Sequence, residues 1–328
     1  MIEALSKARW MQDGPVRAAA DGALRCAVTG RSLLAVTGTD AAEFLHAQLS
    51  TDVRSLAPGE ARLSSYSDAR GRLLAVPRLL VTGDGFLMEL PADSAEAVAS
   101  QLRRYVLRAR VEIEPVPADW VACGIAGPAG SDPAAPLGEP LPLGGTWVGL
   151  DGGAHLATCE GPVPRALLFG PEAALRRAWE RLEDLAPAAA ASWDLLDIEA
   201  GLPCIHAATR GHFVAQMVNL DRLGALDFRK GCYPGQEVIA RTHYLGRVKR
   251  RMYPLRAERA PEPPAAGEPV HDAAGHAAGE LVRAAPHPAG GCLALAVLRL
   301  DAIDGPLTLA DGTPVTRRDP PYPLDEAA

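Results

Sequence analysis

The sequence predicts an α+β fold that ends in a small all-β barrel, and three observations carry that prediction. Between residues 33 and 114, strand-like apolar runs and helix-like apolar spacing follow one another. A Pro- and Gly-rich stretch from Gly124 to Gly145 has no hydrophobic period and marks a loop or a crossing between units. Beyond Met252 only short apolar segments separated by turn residues remain, as expected of a barrel of short strands.

The elements follow in order. Leu33–Val36 reads as a strand, and Thr39 or Asp40 then caps a helix in which Asp40 and Glu43 have capping-box spacing. That helix turns Phe44, Leu45 and Leu49 inward, and Ser50–Val53 forms a turn. Leu73–Val81, Gly83-Asp84-Gly85 and Phe86–Leu90 read as a hairpin. From Asp93 to Arg110, Val98, Leu102, Tyr105, Val106 and Ala109 recur at helical spacing, and Val111–Glu114 alternates as a strand. A second unit has a helix entered at Pro171 that buries Leu175, Ala178, Trp179 and Leu182. A further helix runs from Ser192 to Ala200 and stops at Gly201. Pro254-Leu255, Pro269-Val270, Gly279–Val282, Leu293–Leu298 and Pro306–Leu309 supply the barrel. The units are placed at 1–117, 118–250 and 251–328. No internal repeat is evident, although two related α+β halves are compatible with the pattern.

A chain of 328 residues, 48% hydrophobic and with net charge −7, is long enough for several cored domains. Its acidity argues against gripping nucleic acid or an anionic membrane as a whole. Cys26, Cys123, Cys159, Cys204, Cys232 and Cys292 are widely spaced without a C-x-x-C pair, which fits a reducing compartment better than zinc or disulfides. Charges in Met1–Gly14 are wrong for a secretory signal, and Pro77 and Arg78 interrupt the most apolar stretch well short of the ~18 residues a membrane span needs. A cytoplasmic protein with no membrane partner is expected.

Chemistry is densest in Arg229-Lys230-Gly231-Cys232-Tyr233-Pro234-Gly235-Gln236-Glu237. A lone cysteine is usually a small buried hydrophobe. Here Arg229 and Lys230 precede it and glycines flank it, so a favoured thiolate and a close backbone approach to a ligand are the sharper reading. Glu199 sits in the last turn of its helix, where the macrodipole disfavours a carboxylate. It is either an exposed residue at a frayed end or an acceptor for the N–H groups of a pterin- or guanine-like edge. Glu237 and Arg241 have the spacing of an ordinary helical ion pair. Asp52, Gln216 and Asn219 read as unremarkable turn residues. Arg241, Arg247, Lys249, Arg250, Arg251 and Arg256 concentrate positive charge, as a solvated face or an anion-attracting rim; direct RNA contact through Arg247–Arg251 is the minor reading.

Taken together, Arg229–Glu237 resembles the K-G-C-Y-x-G-Q-E signature of the YgfZ family, folate-binding proteins of iron–sulfur cluster maintenance. Ile198–Pro203, Asn219-Leu220, Leu223–Ala225, Ala240-Arg241, Tyr244–Arg247, Phe44–Val53 and Ala69–Leu74 extend the resemblance over most of the chain. The family is related to the glycine-cleavage T-protein. The resemblance therefore implies two α+β units around a central folate hole, plus a terminal β-barrel. It implies tetrahydrofolate or a derivative as cofactor, with Glu199, Tyr233, Gln236, Glu237 and Arg241 binding it, Cys232 and Lys230 as reactive residues, and iron–sulfur client enzymes or assembly proteins, including tRNA-modifying enzymes, as partners. The alternative it implies is a folate-dependent aminomethyl transferase or demethylating enzyme. Against that, Gly71-Arg72-Leu73 is followed by Leu74-Ala75, so the T-protein's catalytic carboxylate has no counterpart. Pro234 stands where family members often have Thr, which removes an N–H and stiffens the loop.

Overall fold

A computed structural model describes Ile2, Leu5 and residues 7–324. Met1, Glu3, Ala4 and Ser6 of the amino-terminal segment, and residues 325–328, lie outside the described residues. Leu24–Ala27 (β1) and Arg31–Thr37 (β2) lead into Ala41–Gln48 (α1). Ala61–Leu63 (β3), Tyr66–Ser67 (β4), Leu73–Ala75 (β5), Arg78–Val81 (β6), Gly85–Pro91 (β7), Ala92–Arg103 (α2) and Glu112–Pro115 (β8) follow. A five-stranded sheet forms in the order β3-β6-β7-β2-β8. Its strands alternate faces. Leu34, Val36, Leu79, Val81, Phe86 and Met88 pack under α1 and α2, while Leu33, Leu80 and Leu87 face a second sheet.

That second sheet is built from Trp120–Ala126 (β9), Trp147–Gly149 (β10), His155–Thr158 (β11), Arg165–Pro171 (β12) and Ala186–Ala188 (β13), in the order β10-β11-β12-β9-β1-β13. Strand β1 joins it from the amino-terminal region. Its Ala122, Leu167 and Phe169 meet the first sheet, and Cys123, Ile125 and Leu168 meet Leu175, Ala178 and Trp179 of the helix Glu172–Arg181 (α3). Burial on both faces explains the near-continuous apolar runs of β9 and β12.

Ala191–Glu199 (α4) and Gln236–Tyr244 (α5) precede a closed barrel of Arg250–Ala257 (β14), Pro269–Asp272 (β15), Ala277–Pro286 (β16), Cys292–Arg299 (β17), Leu307–Thr308 (β18) and Pro314–Arg317 (β19). Along β17 the period of two decides the packing. Ala294, Ala296 and Leu298 fill the barrel, whereas Leu293, Leu295 and Val297 pack with Leu195 and Ile198 of α4. After the barrel the chain folds back, and the Tyr322 hydroxyl donates to the Gly201 carbonyl at 2.7 Å.

Several local expectations are corrected. Asp40 makes no side-chain cap to α1; its Oδ2 instead accepts the Arg110 N–H at 2.8 Å, so the capping-box spacing serves a tertiary contact. Leu73–Val81 is two strands, because Pro77 lacks an N–H and lets β5 and β6 pair with different partners. Helix α2 ends at Arg103, and Tyr105 is 51% exposed rather than inward. Gly124 lies inside β9, so the irregular stretch begins only after Ala126. The helix expected from Pro171 is Glu172–Arg181, the one expected over Ser192–Ala200 is Ala191–Glu199, and the carboxy-terminal unit is all-β as expected.

Candidate functional site

The loop from Arg229 to Gly235 is held from below. Lys230 is 8% exposed, and its ammonium donates to the carbonyls of His46 and Leu49 at the carboxy-terminal end of α1. Those carbonyls lack helical partners and carry the negative end of the helix dipole, so a buried cation there is compensated. The ammonium also lies 4.8 Å from the centre of the Tyr233 ring. Burial pulls Lys230 down to about 8, and Asp52 and Asp227 draw it partly back. Asp227 steadies the entry to the loop by accepting the Arg229 N–H at 2.8 Å. At the exit Gly235 has φ +81°, and a Cβ there would lie 2.7 Å from the Asp68 carbonyl oxygen and from the Gly71 Cα. Only glycine lets the loop close on that turn.

Cys232 is exposed, whereas the other five cysteines are buried. The two reactive residues predicted side by side therefore part company: the Lys230 charge is taken up by α1, and the thiol faces outward. Tyr233 is buried, and its hydroxyl has no partner among the described residues. The Gln236 carboxamide donates to the Lys230 carbonyl at 3.4 Å. Glu237 and Arg241 are both exposed on α5, and no ion pair joins them among the described residues.

A cavity of about 440 Å³ opens beside the loop, lined by Asp52, Arg62, Asp227, Phe228, Arg229 and His243 among others. Phe228 and His243 stack at 3.9 Å, with Tyr244 edge-on at 6.0 Å from Phe228. His46 lies behind it, 4% exposed, with Nδ1 at 2.9 Å from Asp52 Oδ1 but not aligned as a hydrogen bond. Burial, with Lys230 and Arg54 nearby, lowers the His46 pKa. Reading the sequence missed Asp52 as a site residue. Its place in Phe44–Val53, the segment that resembles the family's amino-terminal one, was the available signal.

Gln216 and Asn219 also do more than turn the chain. Gln216 Nε2 donates to the Ile239 carbonyl of α5 at 2.7 Å, and Asn219 Nδ2 donates to the Met252 carbonyl of β14 at 2.8 Å. Among the described residues, Asn219 is the non-glycine residue at positive φ, +62°. Of the basic run, Arg251 is buried and bidentate to Asp221 at 2.6 and 2.9 Å. Arg256 is buried on barrel carbonyls. Both belong to the core of the junction, while Arg241, Arg247, Lys249 and Arg250 stay exposed.

Glu199 is partly buried at the end of α4, and its carboxylate has no hydrogen-bond partner among the described residues. Burial raises its pKa, with Arg165 and Arg318 lowering it in part. No polar contact links it to the 229–237 loop, but Leu195 and Ile198 of α4 share one hydrophobic cluster with Tyr233 and Ile239. The centre of the molecule is closed by charge. Asp197 receives Arg31 at 2.6 Å, Arg165 at 2.9 Å and Arg283 at 3.0 Å, and Arg78 lies 3.3 Å from Glu89 and 3.2 Å from Glu160. The cavity left there is about 20 Å³, room for about one water. Tested against a pterin, the Glu199 carboxylate fits as an unengaged acceptor for an N–H edge, whereas the central cavity admits no ring unless the ion network moves.

Two comparisons bear on this arrangement. Residues 249–323 match the family model for the CAF17 C-terminal beta-barrel domain. Among solved structures, the glycine cleavage system aminomethyltransferase T from Bartonella henselae superposes with a TM-score of 0.68, covering 90% of this chain and 84% of that one at 18% identity. The fold is that of the aminomethyltransferase T. The aminomethyltransferase-like fold accounts for both packed sheets as well as the barrel, and at this identity the likeness shows architecture alone. No helix among the described residues is long and apolar enough to cross a membrane.

Proposed function

We propose that this chain is a tetrahydrofolate-binding accessory protein for the assembly or repair of iron–sulfur clusters in client enzymes, tRNA-modifying enzymes among them, acting in the cytoplasm through Cys232. The observation that carries the reading is the exposure of Cys232 on a loop whose neighbouring residue is anchored in the core. A thiol presented in that way can reach a cluster or a thiol on another protein without unfolding its own scaffold. Glu199 would hold the pterin edge of the folate. When bound, tetrahydrofolate supplies a reduced pteridine able to donate electrons or carry a one-carbon unit.

Aminomethyl transfer is less well supported. The positions after Gly71 that would carry a carboxylate hold buried Leu74 and Ala75. The nearest carboxylate in sequence, Asp68, is engaged by the N–H groups of Arg70 and Arg72, each at 2.9 Å.

The test is complementation of a deletion strain, read as the activity of an iron–sulfur enzyme. Cys232→Ala should retain tetrahydrofolate binding in vitro and fail to restore that activity. Full restoration would remove the thiol from the mechanism, and enzymatic release of methylene-tetrahydrofolate from an aminomethylated carrier would overturn the accessory reading.

A further inference from the structure

We propose that the cavity beside the 229–235 loop is a second ligand site, shaped for a small planar anion: a flat ring that carries a phosphate or carboxylate group. Arg62 and Arg229 hold the oxyanion, and the aromatic wall of Phe228, His243 and Tyr244 takes the ring. This inference is independent of the folate reading and of chemistry at Cys232.

Four segments meet there. The turn after α1 brings Asp52, β3 brings Arg62, the loop 224–229 brings Asp227, Phe228 and Arg229, and the end of α5 brings His243 and Tyr244. Hydrogen bonds between these segments fix the frame. The Asp227 N–H donates to the Ser50 carbonyl at 3.0 Å, and the Ser50 hydroxyl donates to the Ala225 carbonyl at 2.7 Å. On the other side the Thr51 hydroxyl donates to the carbonyl of Leu63, next to Arg62 in β3, at 3.1 Å. Walls already in place spare a ligand the cost of ordering them.

The charges decide the sign of the ligand. Both carboxylates of the cavity are already engaged by the protein. Asp52 Oδ1 lies 2.9 Å from His46 Nδ1 and 3.9 Å from Arg54 Nε, and Asp227 Oδ1 accepts the Arg229 N–H at 2.8 Å. The guanidiniums differ. Arg62 and Arg229 line the cavity and are exposed, and neither side chain has an ion pair or a hydrogen bond among the described residues. In a chain of net charge −7, two unpaired guanidiniums on one concave wall reverse the sign locally. Their planar forks match the paired oxygens of a carboxylate or phosphate.

A bare anion would use only that wall. The cavity of about 440 Å³ falls in the range of roughly 300–1,000 Å³ usual for small-molecule sites, which leaves room for a ring. Phe228 and His243 stack with centroids 3.9 Å apart and planes 13° from parallel, and Tyr244 stands edge-on at 6.0 Å from the first and 4.7 Å from the second. His243 and Tyr244 are exposed, so their rings can meet a further ring face-to-face or edge-on.

The experiment is isothermal titration calorimetry on the full-length protein at low salt, about 50 mM. AMP and 4-aminobenzoate are the ring-bearing phosphate and carboxylate; adenosine with inorganic phosphate, and aniline with acetate, are their separate halves. At least one ring-bearing anion should bind at least ~10-fold more tightly than either of its halves, and whichever binds names the oxyanion. Arg62→Gln and Arg229→Gln should each weaken that binding by roughly 10- to 100-fold, the scale of lost charge-assisted hydrogen bonds. His243→Ala should cost a smaller factor of roughly 2 to 10. All three side chains are exposed, and circular dichroism checks that the variants fold. Absence of binding by both ring-bearing anions would overturn the proposal, as would inorganic phosphate binding as tightly as AMP, which would mean an adventitious ion only. Glu199→Ala should leave the anion's affinity unchanged, so the two sites fail or stand separately. Tetrahydrofolate should not displace the anion; displacement would make the cavity the folate's own and overturn a second site.

Discussion

Lys230 and Cys232 stand two residues apart and face opposite ways. The ammonium is buried on the last carbonyls of α1, and the thiol is exposed to solvent. The loop thus separates an anchor from a working group, and the two are separable by mutation.

Lys230→Met should leave two buried carbonyls without a donor and cost about 1–3 kcal/mol of stability. The alkylation rate of Cys232 at neutral pH, measured well below the melting temperature, should be unchanged. A marked fall in that rate would mean that the ammonium activates the thiol after all.

Glu199→Ala should weaken tetrahydrofolate binding by roughly 10- to 100-fold in a fluorescence titration, the scale of lost hydrogen bonds to a charged acceptor. Because burial raises the Glu199 pKa, affinity should be full above that raised value and fall as pH drops through it. Glu199→Gln should flatten this profile. The sign for stability is opposite: ionised Glu199 costs stability, recovered on protonation, so the Gln variant should melt no lower than the parent. Unchanged affinity in the Ala variant would move the folate elsewhere, with the cavity beside Asp52 and Asp227 the next place to look.

Asp197→Asn should be far more damaging. Burial opposes the Asp197 charge, but Arg165, Arg283, Arg31 and Arg78 together hold the carboxyl well below the usual carboxylate range. Removing its charge takes from buried Arg165 its carboxylate partner and leaves Arg31 and Arg283 with one fewer, at a cost of about 3–5 kcal/mol. By linkage, Asp197 contributes stability above the unfolded carboxyl pKa of ~3.9, and that contribution is lost as pH falls through the lower folded value. Circular dichroism during acid titration should show the variant already lacking it at neutral pH.

Asn219 tests the tether between the second unit and the barrel. Asn219→Gly keeps the positive φ and loses the bond to Met252, so thermal denaturation should report a loss of about 1 kcal/mol. Asn219→Ala adds the left-handed backbone penalty and should lose about 2–3 kcal/mol. Equal effects would place the value of the residue in its side chain alone.

Much of the architecture was legible from short-range pattern. The apolar runs of β2 and β7, the spacing of Leu175, Ala178 and Trp179, the stop at Gly201 and the turn-punctuated strands after Met252 each depend on neighbours a few residues away. The 229–237 motif and the candidacy of Glu199 were legible for the same reason: the unusual chemistry is contiguous. Which way those groups face was not. Lys230 looked like a partner for Cys232 until α1, nearly two hundred residues upstream, supplied its acceptors, and Asp40 looked like a cap until Arg110 claimed it. The ion network around Asp197 joins residues from distant parts of the chain, and Arg251 looked like surface until Asp221 buried it. Periodicity and turn chemistry are local energies that a sequence displays directly. The state and direction of a charge are set by desolvation and by partners, and only the tertiary structure decides which partners arrive.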